Sequence, residues 1–153
     1  MNENWNRWIY ASIAKHFNTT IAVPNSLYMY IAGRSDDTGK HDEFIELRIS
    51  PIQTTEISKN NYRINVKIDI LYSVQLVPED GFRAQTVAGL IETAITDICV
   101  YKYGKKPGDD GSLLGGLQLQ RQPVESNCFG QISSDTRLIQ GAVSASLQMT
   151  LKI

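Results

Sequence analysis

The sequence predicts an α+β fold: a mainly antiparallel sheet with a long β-hairpin, and two α-helices packed on one face. Three observations predict it. Residues 62–76 alternate apolar and polar with a single break, apolar residues recur at helical spacing in two separate segments, and the last eleven residues alternate again. Helices that each bury one stripe against one face of an antiparallel sheet satisfy all three patterns at once. With 153 residues, 42% hydrophobic and 20% charged, the chain reads as one domain spanning 1–153, large enough for a core without disulfides or a structural metal. No repeat, low-complexity run or linker divides it.

The first segment, residues 4–17, places Trp5, Trp8, Ile9, Ile13 and Phe17 on one stripe, which predicts an amphipathic helix. Asn4 is the expected N-cap and Asn18 the expected left-handed stop, after which Thr19, Thr20 and Ile21 favour extended chain. Residues 27–31 (Leu-Tyr-Met-Tyr-Ile) predict a strand, closed by Gly33 and a polar loop over 34–40.

The strongest signal follows. From Tyr62 to Leu76 the even positions are apolar or aromatic and the odd ones polar, Leu71 excepted. Fifteen residues of period two predict one strand of about 50 Å with one buried face, far longer than the usual five or six residues. Residues 43–49 alternate as well, Lys59-Asn60-Asn61 supplies a turn, and Pro51 marks a bulge or edge, so the two runs form a long hairpin. Such an arm either completes its burial on another chain or bends at a bulge near Leu71 to curl over its own helices.

After Pro78-Glu79-Asp80-Gly81, the stripe Phe82, Val87, Leu90, Ile91, Ala94, Ile95 and Ile98 predicts a helix of about twenty residues, with Asp80 as its cap and Gly104 at its C-terminal end. A Gly/Asp loop (104–116) leads to alternation at Leu117 and Leu119, an irregular stretch over 123–130, and a half-buried final strand through Val143, Ala145, Leu147, Met149 and Leu151.

Composition narrows the function. Fifteen Lys and Arg against sixteen Asp and Glu give a net charge of −1, which provides no field for sequence-independent nucleic-acid binding. No window approaches a membrane span, and the polar start MNENWNRWIY does not resemble a secretory signal, so the expectation is a protein that stays in the cytoplasm. Cys99 and Cys128 lie outside any metal or redox spacing and are expected to be buried as small hydrophobes. His16 and His41 have no partner at ligand spacing. The glycines of GSLLGG form neither a P-loop nor a dinucleotide fingerprint, and no nucleophile elbow is present. The acid pairs Asp36-Asp37 and Asp109-Asp110 read as solvated turns. No catalytic, cofactor-binding or metal residue is therefore assigned, and the chain is expected not to be an enzyme.

The order of elements carries a resemblance. An N-terminal amphipathic helix, a long hairpin, a single helix introduced by the turn Pro78-Glu79-Asp80-Gly81-Phe82, and an alternating C-terminal strand together resemble the tail terminator, or tail-completion, proteins of long-tailed bacteriophages. The resemblance covers Trp5 to Ile153, rests on element order and size, and does not include the Pro-Val-Glu-Ser-Asn-Cys-Phe-Gly stretch at 123–130. It implies a virion protein of the tail and neck, assembled in the host cytoplasm as a homohexameric ring. That ring caps the finished tube, stops its polymerisation and meets the head–tail connector or stopper. Its partners are further copies of itself, the tail tube protein and the connector proteins, with no cofactor, no membrane and no specific nucleic-acid binding, although a genome would pass through the channel. It also assigns the polar face of the long strand (Arg63, Lys67, Asp69) to the channel or an interface. The polar loops holding Arg34, Asp36, Asp37, Lys105, Lys106, Asp109 and Asp110 become rim contacts. Two other readings stay open: a different neck ring protein, such as a connector or stopper, or a small-ligand-binding α+β domain or enzyme with a pocket collecting His41, Cys99, Cys128 or the acid pairs.

Overall fold

The computed structural model describes residues 3–32, 43–76, 79, 81–120, 124–131 and 138–152. Two helices, α1 (Trp5–Phe17) and α2 (Arg83–Ala94), pack on one face of an eight-stranded sheet, as the sequence predicts. The strands are β1 (Tyr28–Ile31), β2 (Phe44–Ile49), β3 (Gln53–Ser58), β4 (Asn61–Gln75), β5 (Ile98–Tyr101), β6 (Leu113–Leu119), β7 (Glu125–Gln131) and β8 (Leu138–Lys152). All pair antiparallel except β1 with β2.

The sheet is organised by one ladder. β4 and β8 have fifteen residues each and pair along their whole length, from Asn61↔Lys152 to Gln75↔Leu138. Shorter strands flank this ladder in two tiers. Beside the Lys152 end lie β3 on one side and β6, followed by β5, on the other; beside the Leu138 end lie β2, followed by β1, and β7. The first arm of the expected hairpin is thus two strands on one partner, broken at 50–52 around Pro51, whose missing N–H cannot serve a continuous ladder. Asn60, at φ 65, makes the turn into β4.

The alternation has the meaning read from it. Ile64, Val66, Ile68, Ile70, Tyr72 and Val74 are buried, and they share one core with Val143, Ala145, Leu147, Met149 and Leu151 of β8. Trp5, Trp8, Ile9, Ile13 and Phe17 cover that core from α1, and Ala84, Val87 and Ile91 from α2. The buried face of the long strand is therefore completed within its own chain, not on another copy. No bulge interrupts it at Leu71, which pairs in register with Ala142.

Several local expectations are corrected. Asn4 makes no side-chain capping bond; its Oδ1 accepts from Arg7 Nη2 at 3.0 Å. Asn18 is right-handed (φ −62°, ψ −44°), and the helix runs on as a π turn over Asn18–Ala22. There Thr19 and Thr20 donate their hydroxyls to the Lys15 and His16 carbonyls, a local bond that offsets their preference for extended chain. The second helix has twelve residues, not about twenty, because Ile98-Cys99-Val100-Tyr101 takes the strand option that β-branched and aromatic residues favour. Its apolar spacing fits both periods, and pairing Ile98 with Leu117 decides the outcome. Phe82, expected on the buried stripe, is 75% exposed, Asp80 lies outside the described residues, and Gly104 sits in a loop rather than at a helix end. The stretch 123–130, expected to be irregular, holds all of β7 but its last residue, and β7 follows β8 across a register shift between Cys128 and Gly130. Finally, both cysteines are exposed: Cys99 alternates with the buried Ile98 and Val100, and Cys128 lies on a sheet edge.

Candidate interaction surfaces

The residues singled out in the sequence fall into three groups. Arg34, Asp36, Asp37 and His41 lie outside the described residues. Arg63, Lys67 and Asp69 share the sheet face opposite the helices, because odd positions of β4 point away from the core. Lys105, Lys106, Asp109 and Asp110 lie in the loop between β5 and β6.

Asp109 is not a solvated residue of that loop. The Asp109 side chain has no exposed surface and sits at the centre of a polar latch onto α1. Its Oδ1 accepts from Arg7 Nη2 at 2.6 Å and from the Trp8 indole N–H at 2.7 Å; its Oδ2 accepts from Arg7 Nη1 at 2.7 Å and from the Lys106 backbone N–H at 2.8 Å. Arg7 also donates to the Tyr103 carbonyl at 3.1 Å. Hydrogen bonds from Arg7 hold the Asp109 carboxyl far below the usual carboxylate range, against the opposing effect of its burial. Gly104, at φ +148, is needed here, since a Cβ would stand 2.0 Å from Asp109 Oδ2 and 2.3 Å from Arg7 Nη1. Asp109 is therefore withdrawn as a partner contact: it fastens the loop to the first helix. Asp110 accepts from Ser112 N–H (2.9 Å) and its hydroxyl (2.6 Å), and these bonds lower its pKa. Lys105 and Lys106 remain exposed at the loop tip. The latch joins residues about a hundred positions apart, which periodicity cannot register.

The polar sheet face has a different character. Arg63 and Lys67 are exposed and, among the described residues, form no ion pair. Asp69 is half-buried and accepts from the Ser144 hydroxyl, Asn65 Oδ1 accepts from Gln148 Nε2 at 3.0 Å, and Arg48 pairs with Glu46 at 2.9 Å. A hollow of about 360 Å³ opens where the flanking strands stop, lined by Ser50, Gln53, Asn65, Lys67, Gln120 and Ser146 among others. A second hollow, of about 280 Å³, brings Ser12, Lys15, His16, Asp97 and Cys99 together between α1 and β5. In it His16 Nε2–H donates to the Ala94 carbonyl at 2.8 Å and Asp97 accepts from Leu119 N–H at 2.9 Å, so both side chains brace the fold. Cys128 is not in either hollow. Among the described residues no cluster of three or more His, Cys, Asp or Glu is placed to hold a metal ion, and no helix is long and apolar enough to cross a membrane.

No protein-family model and no curated protein matches the chain. Solved structures do. One of them, which carries no functional description, superposes with a TM-score of 0.54 over 97% of this chain and 96% of its own at 14% identity. The likeness is one of fold. It extends over the whole length, so the two-tiered sheet with its two helices is an architecture other proteins share.

Proposed function

We propose that this chain is a structural virion protein of a long-tailed bacteriophage. It assembles as a ring at the head-proximal end of the tail tube, ends tube polymerisation and joins the tail to the head connector. The element order that resembles the tail terminators motivates the reading. The observation that carries it is the placement of two of the sheet's four edge strands among the described residues, β1 and β5 being the others. Among the described residues β3 pairs only with β4, at one end of the long ladder, and β7 only with β8, at the other end and on the opposite side. Edges left open on opposite sides suit head-to-tail contact between copies, the geometry that closes into rings, whereas one self-complementary edge would stop at a dimer. Each edge carries an exposed large apolar side chain, Ile57 at 49% on β3 and Phe129 at 65% on β7, and neither strand contains Lys or Pro, the residues that commonly block edge pairing. Lys105 and Lys106, on a loop held rigid by the Asp109 latch, then serve as a rim contact for the tube or connector.

Negative-stain electron microscopy of the purified protein, with and without tail tube protein, tests the reading: rings are expected, and addition of the ring should halt tube growth. A strict monomer by light scattering in both conditions would overturn it. Rings that bind a connector and leave tube growth unaffected would instead place the chain elsewhere in the neck.

A further inference from the structure

The sheet face turned away from the helices changes sign at its centre. The middle residues of the two fifteen-residue strands, Ile68 and Ala145, pair with each other. On the side of this pair toward Lys152, the outward positions of β4 and β8 carry Arg63, Lys67 and Lys152. Among the described residues no carboxylate joins them there: outward positions of the flanking strands hold Gln53, Thr55 and Gln118. On the other side the outward charges are three acids, Asp69, Glu125 beside Ser144, and Glu46, against one base, Arg48, which stands opposite Asp69 in register and pairs with Glu46. The net charge of the face changes sign at the midpoint, between Lys67 and Asp69.

We propose that this face binds a second copy of the chain, sheet against sheet. The two-fold axis runs between the two sheets, parallel to both and perpendicular to the strands, and crosses over the Ile68–Ala145 pair. Charge selects this axis. A two-fold parallel to the strands would stack basic half on basic half, whereas the perpendicular one sets each basic half on an acidic half and superposes the whole ladder. In that register Lys67 of each copy meets Asp69 of the other. Glu125, level with Ser144, comes over the level of Ser146 and Gln120, which line the hollow that also holds Lys67. The available area fits a stable complex: fifteen residues of length and four strands of width give roughly 900 Å² per copy, against about 800 Å² per partner in standard interfaces. The contact is isologous, whereas a ring needs a head-to-tail one, so this inference neither rests on the ring reading nor fails with it.

The test is molar mass by sedimentation at about 200 μM protein, in about 50 mM and about 500 mM salt, since contacts between exposed charges are screened across that range. In low salt the wild type is expected at twice the molar mass of the species that high salt leaves, whether that species is the 17.1 kDa chain or the ring, with dissociation of the pair at least about tenfold easier in high salt. Lys67→Glu and Asp69→Lys should each stay at the unpaired mass alone, yet double it when mixed in equal amounts, because every introduced charge then meets its opposite. Glu125→Lys replaces Asp69→Lys if loss of the Ser144 hydrogen bond impairs folding, which circular dichroism checks. A wild type with the same mass in low and high salt, a pairing that Lys67→Glu leaves intact, or a mixture that stays at the unpaired mass would each overturn the proposal.

Discussion

The two helices cover the same sheet by different means. α1 lies toward the Lys152 end of the ladder, where Trp5 meets Tyr62 edge-on at 5.5 Å. It is fixed at several points: Arg7 and Trp8 hold Asp109, Ser12 Oγ accepts from Tyr101 N–H at 3.0 Å, and His16 reaches the end of α2. α2 lies toward the Leu138 end, with four buried residues, Ala84, Val87, Ala88 and Ile91, and an ion pair of Arg83 with Glu43 at 3.0 Å. One helix is thus anchored by side chains that each combine apolar area with a directed hydrogen bond, the other mainly by small apolar contacts. Specificity of placement resides at the α1 end.

The largest test of that difference compares truncations. Trp8→Ala should cost about 3–5 kcal/mol, since it removes a large buried ring and also leaves Asp109 without its indole donor. Ile91→Ala should cost about 2–4 kcal/mol, the range for an aliphatic cavity. Urea denaturation measures both, and an Ile91 penalty equal to or above that of Trp8 breaks the comparison.

A smaller effect is expected from closing a gap at the α2 end. Gly141 faces Tyr72 so closely that a Cβ would stand 2.2 Å from the phenolic oxygen. Gly141→Ala must displace a buried ring and should cost about 1–3 kcal/mol. The same site gives an alkaline signature. Burial, with smaller contributions from Cys128 and Glu92, pushes the Tyr72 hydroxyl up to about 12. The unfolded chain ionises this group near its ordinary value of 10.0, so stability from this residue falls as pH rises from about 10 toward about 12. Tyr72→Phe should flatten that limb in thermal melts taken across the range.

What the sequence reveals follows the range of the interaction. Residues 62–76 announce β4 because alternation is local and one face is buried along its whole length, and α1 is legible for the same reason. The end of α2 is not, because residues 94–101 satisfy both periods and only pairing with β6 selects strand. β7 is harder still: all but one of its residues are exposed, so it alternates with nothing and exists because β8 offers an edge. The candidate contacts divide likewise. Local pattern suffices to place Arg63, Lys67 and Asp69 on one face, whereas Asp109 is read as solvated because its partners, Arg7 and Trp8, are a hundred residues away.

The acid limb sharpens the comparison from the other end of the molecule. Asp109, held by Arg7, keeps its proton off well below the range of an unfolded aspartate, whose ordinary value is 3.8. A carboxyl depressed in the folded state stabilises above the unfolded pKa and loses that contribution as pH falls below it. Acid titration of the wild type should therefore loosen α1 and the 102–112 loop as pH drops below about 4, and Asp109→Asn should remove most of that dependence at the cost of lower stability at neutral pH. Chemical shifts of the Trp8 indole N–H report the latch directly.

The smallest expected effect belongs to the tether of α2. Arg83 and Glu43 keep 27% and 28% of their side-chain surface exposed, and Glu43 also accepts from Gln75 N–H at 3.1 Å. The Glu43 pKa is lowered: burial pushes it up, and the bonds from Arg83 and Gln75 outweigh that. A partly exposed pair of this kind contributes about 0–1 kcal/mol, so Arg83→Met, which keeps the apolar stem, should barely move the urea midpoint. Arg7→Met, the matching change at α1, strips a covered carboxylate of its bidentate partner and should lower the midpoint clearly. Equal responses to the two substitutions would mean that the latch contributes no more than an exposed ion pair, and that α1 is held by its tryptophans alone.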